Sequence, residues 1–258
     1  MRVALIAPDN LLDLIQPYSD YHLILSHKVI FSHKYQEFYA KRSKVGDYIL
    51  LDNSAAEKHG RSIPLKDVVL AAVLTKPKVV FLPDFMFDSH RTLEELENVL
   101  VSPHMRFMRR VLPDTKIAAV VQGASPEDWL MCFNVLNSLQ GIDVLGIPML
   151  TTQVFGARWK ALDAIKKKVK KQCHLLGFWK TAPLSDVEAE SQYNFIMGID
   201  TSKIVRLATE GKGLSEWNSI SHDKSFVDKE HNHFSPELLR ENCEGFIKLC
   251  NGGKVNGN

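Results

Sequence analysis

A chain of 258 residues, 45% hydrophobic and 24% charged, is long enough to bury one large core, which excludes disorder, collagen and coiled coil as the main architecture. Lysine plus arginine number 32 against 30 aspartate plus glutamate, and the net charge of +2 excludes a uniformly basic coat while leaving room for a local basic face. No apolar stretch is long enough to cross a bilayer, and the opening MRVALIAPDN turns polar too early for a secretory signal, so the expectation is a cytoplasmic protein without membrane contact.

Along the chain, short apolar runs alternate with segments of helical spacing. The runs are RVALIAP (2–8), HLILS (22–26), YILLD (48–52), VVFLPD (79–84), IAAVVQG (117–123), DVLGIP (143–148), HLLGF (174–178) and FIMGID (195–200). Near-continuous apolar runs are expected of parallel strands covered on both faces. Helices are predicted over 32–43, 64–75, 91–100, 126–139, 157–171 and 185–193. Ser125 caps the fourth with Pro126 at its first position, and Asp88 reads as a loop or cap residue. The segment 211–235 is polar and reads as a long loop over one end. A closing helix over 235–250 starts with Ser235 as cap, and 251–258 is a flexible tail. This order predicts an α/β fold: one (β/α)8 TIM barrel over 1–250. A doubly wound sheet is the alternative, but no glycine-rich phosphate loop follows the first strand. The four cysteines form no CxxC pair and read as buried thiols.

Barrel active sites lie at the C-terminal ends of the strands, so the residues ending each run are the candidates. Asp52, Asp84, Gln122 and Asp200 converge there. Position names a site and leaves the reaction open, since an aspartate after a strand also serves as a cap or turn residue.

The motifs YILLDNSAA (48–56), VVFLPDFM (79–86), AAVVQGAS (118–125), VLGIP (144–148), HLLGF (174–178) and GIDTSKIVRLATEG (198–211) resemble, in order and strand context, those of the tRNA-guanine transglycosylase superfamily. The likeness spans roughly residues 20–211. It implies Asp200 as the nucleophile that forms a covalent glycosyl intermediate and Asp52 as general acid and base. It further implies Asp84, Gln122, Gly123, Gly146 and Ile147 as the base-binding set. Displacing a base with retained configuration needs such a carboxylate nucleophile and a proton donor for the leaving guanine. The alternative register puts Lys203 at the nucleophile position and loses the match at Arg206.

Members acting on tRNA carry a zinc subdomain with a CxCxxC run, which this sequence lacks. The resemblance therefore points to the compact phage enzymes that exchange guanine in DNA for a 7-deazaguanine base of the preQ0 type. It implies DNA, single-stranded or with a flipped base, as partner, the free 7-deazaguanine as co-substrate, and no metal or other cofactor. Nucleic-acid contacts are expected from Lys203, Arg206, Lys212, Trp179 and the basic run with Lys166, Lys167 and Lys170. Phe85, Phe87 and Phe178 are further stacking candidates. His222, His231, His233 and Cys243 match no common zinc spacing. Three alternatives stay open: a minimal tRNA-guanine transglycosylase, a non-catalytic nucleic-acid-binding barrel subunit, and an unrelated hydrolase using Asp52 and Asp200 as a carboxylate pair.

Overall fold

All eight apolar runs become strands. In the computed structural model, which describes residues 1–58, 62–178, 183–220 and 225–252, they are β1 (Arg2–Leu5), β2 (Tyr21–Leu25), β3 (Tyr48–Asp52), β4 (Val79–Phe81), β5 (Lys116–Val120), β6 (Val144–Pro148), β7 (Gln172–Leu176) and β8 (Ile196–Thr201). Every pairing is parallel, in the order β1-β8-β7-β6-β5-β4-β3-β2, and β1 lies against β2 to bring the ends of the sheet together. This nearly closed sheet with interleaved helices is a (β/α)8 barrel. The apolar residues of the strands are buried on both faces, which is why the runs read as continuous and do not alternate.

Inside the barrel, glycines make room for large side chains. A Cβ on Gly146 would meet Phe81 and Leu176 at 2.8 Å, and one on Gly198 would overlap the ring of Tyr21. Tyr21 thereby crosses the lumen from β2 toward β7 and β8. The register shift between β7 and β8 falls at Cys173/His174, next to the histidine that Tyr21 reaches. Bulges re-aim side chains in this way.

The helices depart from expectation in several places, among them the short unpredicted helices Ser26–Phe31, Thr151–Phe155 and Lys203–Thr209. Asp88, Ser125 and Ser235 do cap their helices, accepting from Arg91, Asp128 and Leu238 N–H respectively. The helix predicted over 157–171 ends at Ile165, and Lys166–Lys171 lie in the turn that enters β7. A second helix, Pro103–Val111, follows Ser89–Val101 between β4 and β5 and buries Met105 and Met108; it is not among the predicted helices. The segment predicted as a surface loop over 211–235 supplies core instead: Trp217, Ile220, Phe226 and Val227 are buried. Trp217 stacks on Phe246 of the closing helix Pro236–Cys250 and packs against Phe178. Among the described residues no helix is long and apolar enough to cross a membrane, and all four cysteines are buried and free.

Candidate active site

The loop after β3 organises the mouth of the barrel. Asp52 ends the strand and its Oδ2 accepts the Ser54 N–H at 2.7 Å. This tight turn puts Ser54 at φ 64°, an uncommon conformation for a residue other than glycine. The Ser54 hydroxyl bonds His27 Nδ1 at 2.9 Å, and Ser26 donates its hydroxyl to the Asp52 carbonyl, so the ends of β2 and β3 are tied together. Between them, Asn53 donates from Nδ2 to Asp84 Oδ1 at 2.6 Å and to the Leu82 carbonyl at 2.7 Å. Gln122, at the end of β5, donates to Asp84 Oδ2 at 2.5 Å and accepts the Phe87 N–H at 3.0 Å. Asp84 is thus held from both sides, and Gln122 is committed to holding it.

Asp200 is anchored from below. Its Oδ1 lies 3.0 Å from His174 Nε2 and accepts the Gly177 N–H at 3.0 Å. On its other nitrogen, His174 Nδ1 meets the Tyr21 hydroxyl at 2.7 Å. The tautomer that satisfies both contacts has Tyr21 O–H donating to Nδ1 and Nε2–H donating to Asp200. Both bonds converge on Oδ1, and Oδ2 takes part in neither.

Burial acts in the same direction on several carboxyls of the mouth. Burial, followed by the neighbouring Glu57, raises the Asp52 carboxyl well above the ordinary range, with Asp200 and Asp84 adding to the effect. Burial also pushes Asp84 up to about 6, against the lowering bonds from Asn53 and Gln122. Glu57 is raised to about 7, first by burial and then by Asp200 and Asp228, and its Oε2 is buried without a hydrogen-bond partner. The direction of the Asp52 shift favours its protonated form, and a carboxyl that keeps its proton can serve as a general acid. The chain matches no family model and no curated protein.

The structure brings Asp52, Asp84, Gln122 and Asp200 to one end of the barrel, and disperses the remaining candidates. Gly123 is required by packing, because a Cβ there would overlap the Trp129 backbone. Gly146 lies mid-sheet between Val120 and His174, and Ile147 is fully buried. Lys203 is 4% exposed with its ammonium 3.6 Å from the Trp217 ring centroid, so it is not a surface cation. Arg206 is half-buried over Phe226, and Lys212 donates to Glu210 and the Ser219 carbonyl. Phe178 is a core residue, Phe85 is covered by the Arg91 guanidinium, and Phe87 sits at φ 63°. Lys166, Lys167 and Lys170 precede β7 and therefore stand at the N-terminal end of the barrel, opposite Asp200. His231 bonds the Phe226 carbonyl at 3.1 Å, and among the described residues no three His, Cys, Asp or Glu side chains gather as a metal site. Trp179 and His222 lie outside the described residues.

Glu57 lies in a turn and carried no motif signal, yet it is the largest charged influence on Asp52. Its raised pKa has a stability consequence. The folded state binds the Glu57 proton more tightly than the unfolded chain, so stability falls as pH rises from about 4.5, the ordinary value, through about 7. Glu57→Gln is expected to flatten this fall, as read by urea midpoints across that range; an unchanged slope would contradict the assignment.

Proposed function

We propose that the protein is a base-exchanging glycosyltransferase that replaces guanine in DNA with a 7-deazaguanine base of the preQ0 type. The observation that carries this reading is the anchored Asp200 carboxylate in one mouth with Asp52, whose environment favours the protonated form. In the first displacement Asp200 Oδ2 forms a bond to C1′ as the C1′–N9 bond breaks, and the departing guanine takes the proton of Asp52. In the second, Asp52 removes the N9 proton of the incoming base, whose nitrogen bonds C1′ as the aspartyl ester breaks. No oxidant, nucleotide triphosphate or metal enters the balance. Asp84 supports guanine recognition as an acceptor for N1–H and the exocyclic amine. A base inside a duplex is out of reach of such a site, so the substrate is single-stranded or has the nucleotide extruded.

Incubating the protein with radiolabelled preQ0 and either DNA or tRNA tests the reading. Label is expected in DNA, with release of guanine in equal amount. Incorporation only into tRNA would move the function to a minimal tRNA-guanine transglycosylase. Hydrolysis of a nucleoside without added base would replace it by a hydrolase.

A further inference from the structure

The N-terminal end of the barrel, opposite the carboxylates, concentrates charge of the other sign. The turns entering β3, β4, β5 and β7 carry exposed Lys44, Lys76, Lys78, Lys116, Lys167 and Lys170. Ion pairing among the described residues at this end involves Arg42 with Asp47 and Lys166 with Asp163, and none of those six lysines. Exposed carboxylates in the turns of this end are fewer, Asp20, Asp114 and Asp143, so the turns carry a net positive charge, whereas the mouth holds the buried Asp84 and the raised Asp52.

These turns are also fastened to each other. Ser43 donates its hydroxyl to the Lys76 carbonyl at 2.9 Å, joining the β3 and β4 turns. Thr115 donates to the Pro77 carbonyl at 2.8 Å, and Lys116 N–H to the Lys78 carbonyl at 2.9 Å, joining β4 to β5. Farther round, Lys171 Nζ reaches the carbonyls of Leu136, Leu139 and Ile142 at 2.7–2.8 Å, and Asn137 bonds the backbone of both Lys168 and Lys170. The cations therefore sit on a braced surface and not on independent loops, which lowers the entropy lost on binding an extended anion. Val45 and Val111, the exposed apolar residues next to these turns, each follow a cation, Lys44 and Arg110, and form no continuous stripe to insert into lipid.

We propose that this N-terminal face is a docking surface for a nucleic-acid phosphate backbone, separate from the mouth that holds Asp52 and Asp200. Binding here is driven by counterion release and is indifferent to base sequence. The proposal does not rest on the base-exchange reading, because a strand at this end is not the segment at the mouth.

The test uses the Asp200→Asn protein, so that chemistry plays no part, and a fluorescein-labelled mixed-sequence single-stranded DNA oligonucleotide followed by anisotropy over a range of salt. Charge reversal in pairs, Lys76→Glu with Lys78→Glu and Lys167→Glu with Lys170→Glu, is compared with Lys34→Glu, an exposed lysine at the start of helix His33–Lys44 near the opposite end. Each pair is expected to weaken binding by about tenfold or more and to lower the salt slope by about 0.7 per lost phosphate contact, with Lys34→Glu close to the parent. Circular dichroism melts establish that the variants are folded. Three results would each overturn the proposal: unchanged affinity in both pairs, an equal loss with Lys34→Glu, or retention on phosphatidylserine vesicles without DNA binding.

Discussion

If the proposed base exchange runs through Asp200, Asp200→Asn is expected to lower it by about 10⁴-fold or more, because it replaces the proposed attacking oxygen while keeping a side chain of the same shape. The amide oxygen still accepts from His174 and Gly177, so the barrel mouth keeps its form and the loss reports chemistry. A second measurement separates nucleophile from bystander. The parent protein, quenched in denaturant during turnover with DNA and no incoming base, is expected to retain a covalent protein–DNA band, and Asp200→Asn none. Persistence of that band in the variant would move the nucleophile elsewhere. Asp52→Asn should behave differently: it removes the proton donor, so exchange slows while DNA binding survives. An Asp52→Asn protein with normal exchange would remove Asp52 from proton transfer.

The path from Asp200 downward explains why part of this site was legible in the sequence and part was not. Asp52, Asp84, Gln122 and Asp200 end apolar runs, and a parallel barrel turns that linear fact into a spatial one by bringing all strand ends to one rim. The supporting groups follow no such rule. His174 lies inside an apolar strand, and Tyr21 lies one residue before the run read as the second strand; they meet only because Gly198 leaves the lumen open between them. Glu57 and Asn53 act from a turn whose path depends on Ser54 at positive φ. The lysines before β7 illustrate the opposite case. Their position between a helix and the next strand already puts them at the N-terminal end, since every such connection in a barrel returns there. The helix read over 157–171 ends at Ile165 in the structure, and with either ending the run stands before β7 at that same end.

The largest expected loss of stability comes from a pair whose own residues lie in no motif. Arg158 and Glu190 are both 0% exposed and form a bidentate ion pair, Nε to Oε1 at 2.8 Å and Nη2 to Oε2 at 2.9 Å. The remaining arm, Nη1, donates to the Gly177 carbonyl at 2.9 Å and reaches those of Leu176 and Ile147 at 3.3 and 3.4 Å. The guanidinium therefore clamps the C-terminal ends of β6 and β7, and it holds the peptide of the glycine whose N–H anchors Asp200. Arg158→Ala leaves a buried carboxylate and several carbonyls without their donor, and about 3–5 kcal/mol of stability is expected to go with it. Replacing both partners by apolar residues, Arg158→Met with Glu190→Leu, removes the stranded charge, so the urea midpoint should recover much of that loss. Exchange activity should not recover in parallel, because the Gly177 carbonyl still lacks its partner and Asp200 loses part of its fixed environment. Equal recovery of stability and activity would show that Arg158 serves folding alone; a folded double variant with impaired exchange makes it a positioning residue for Asp200.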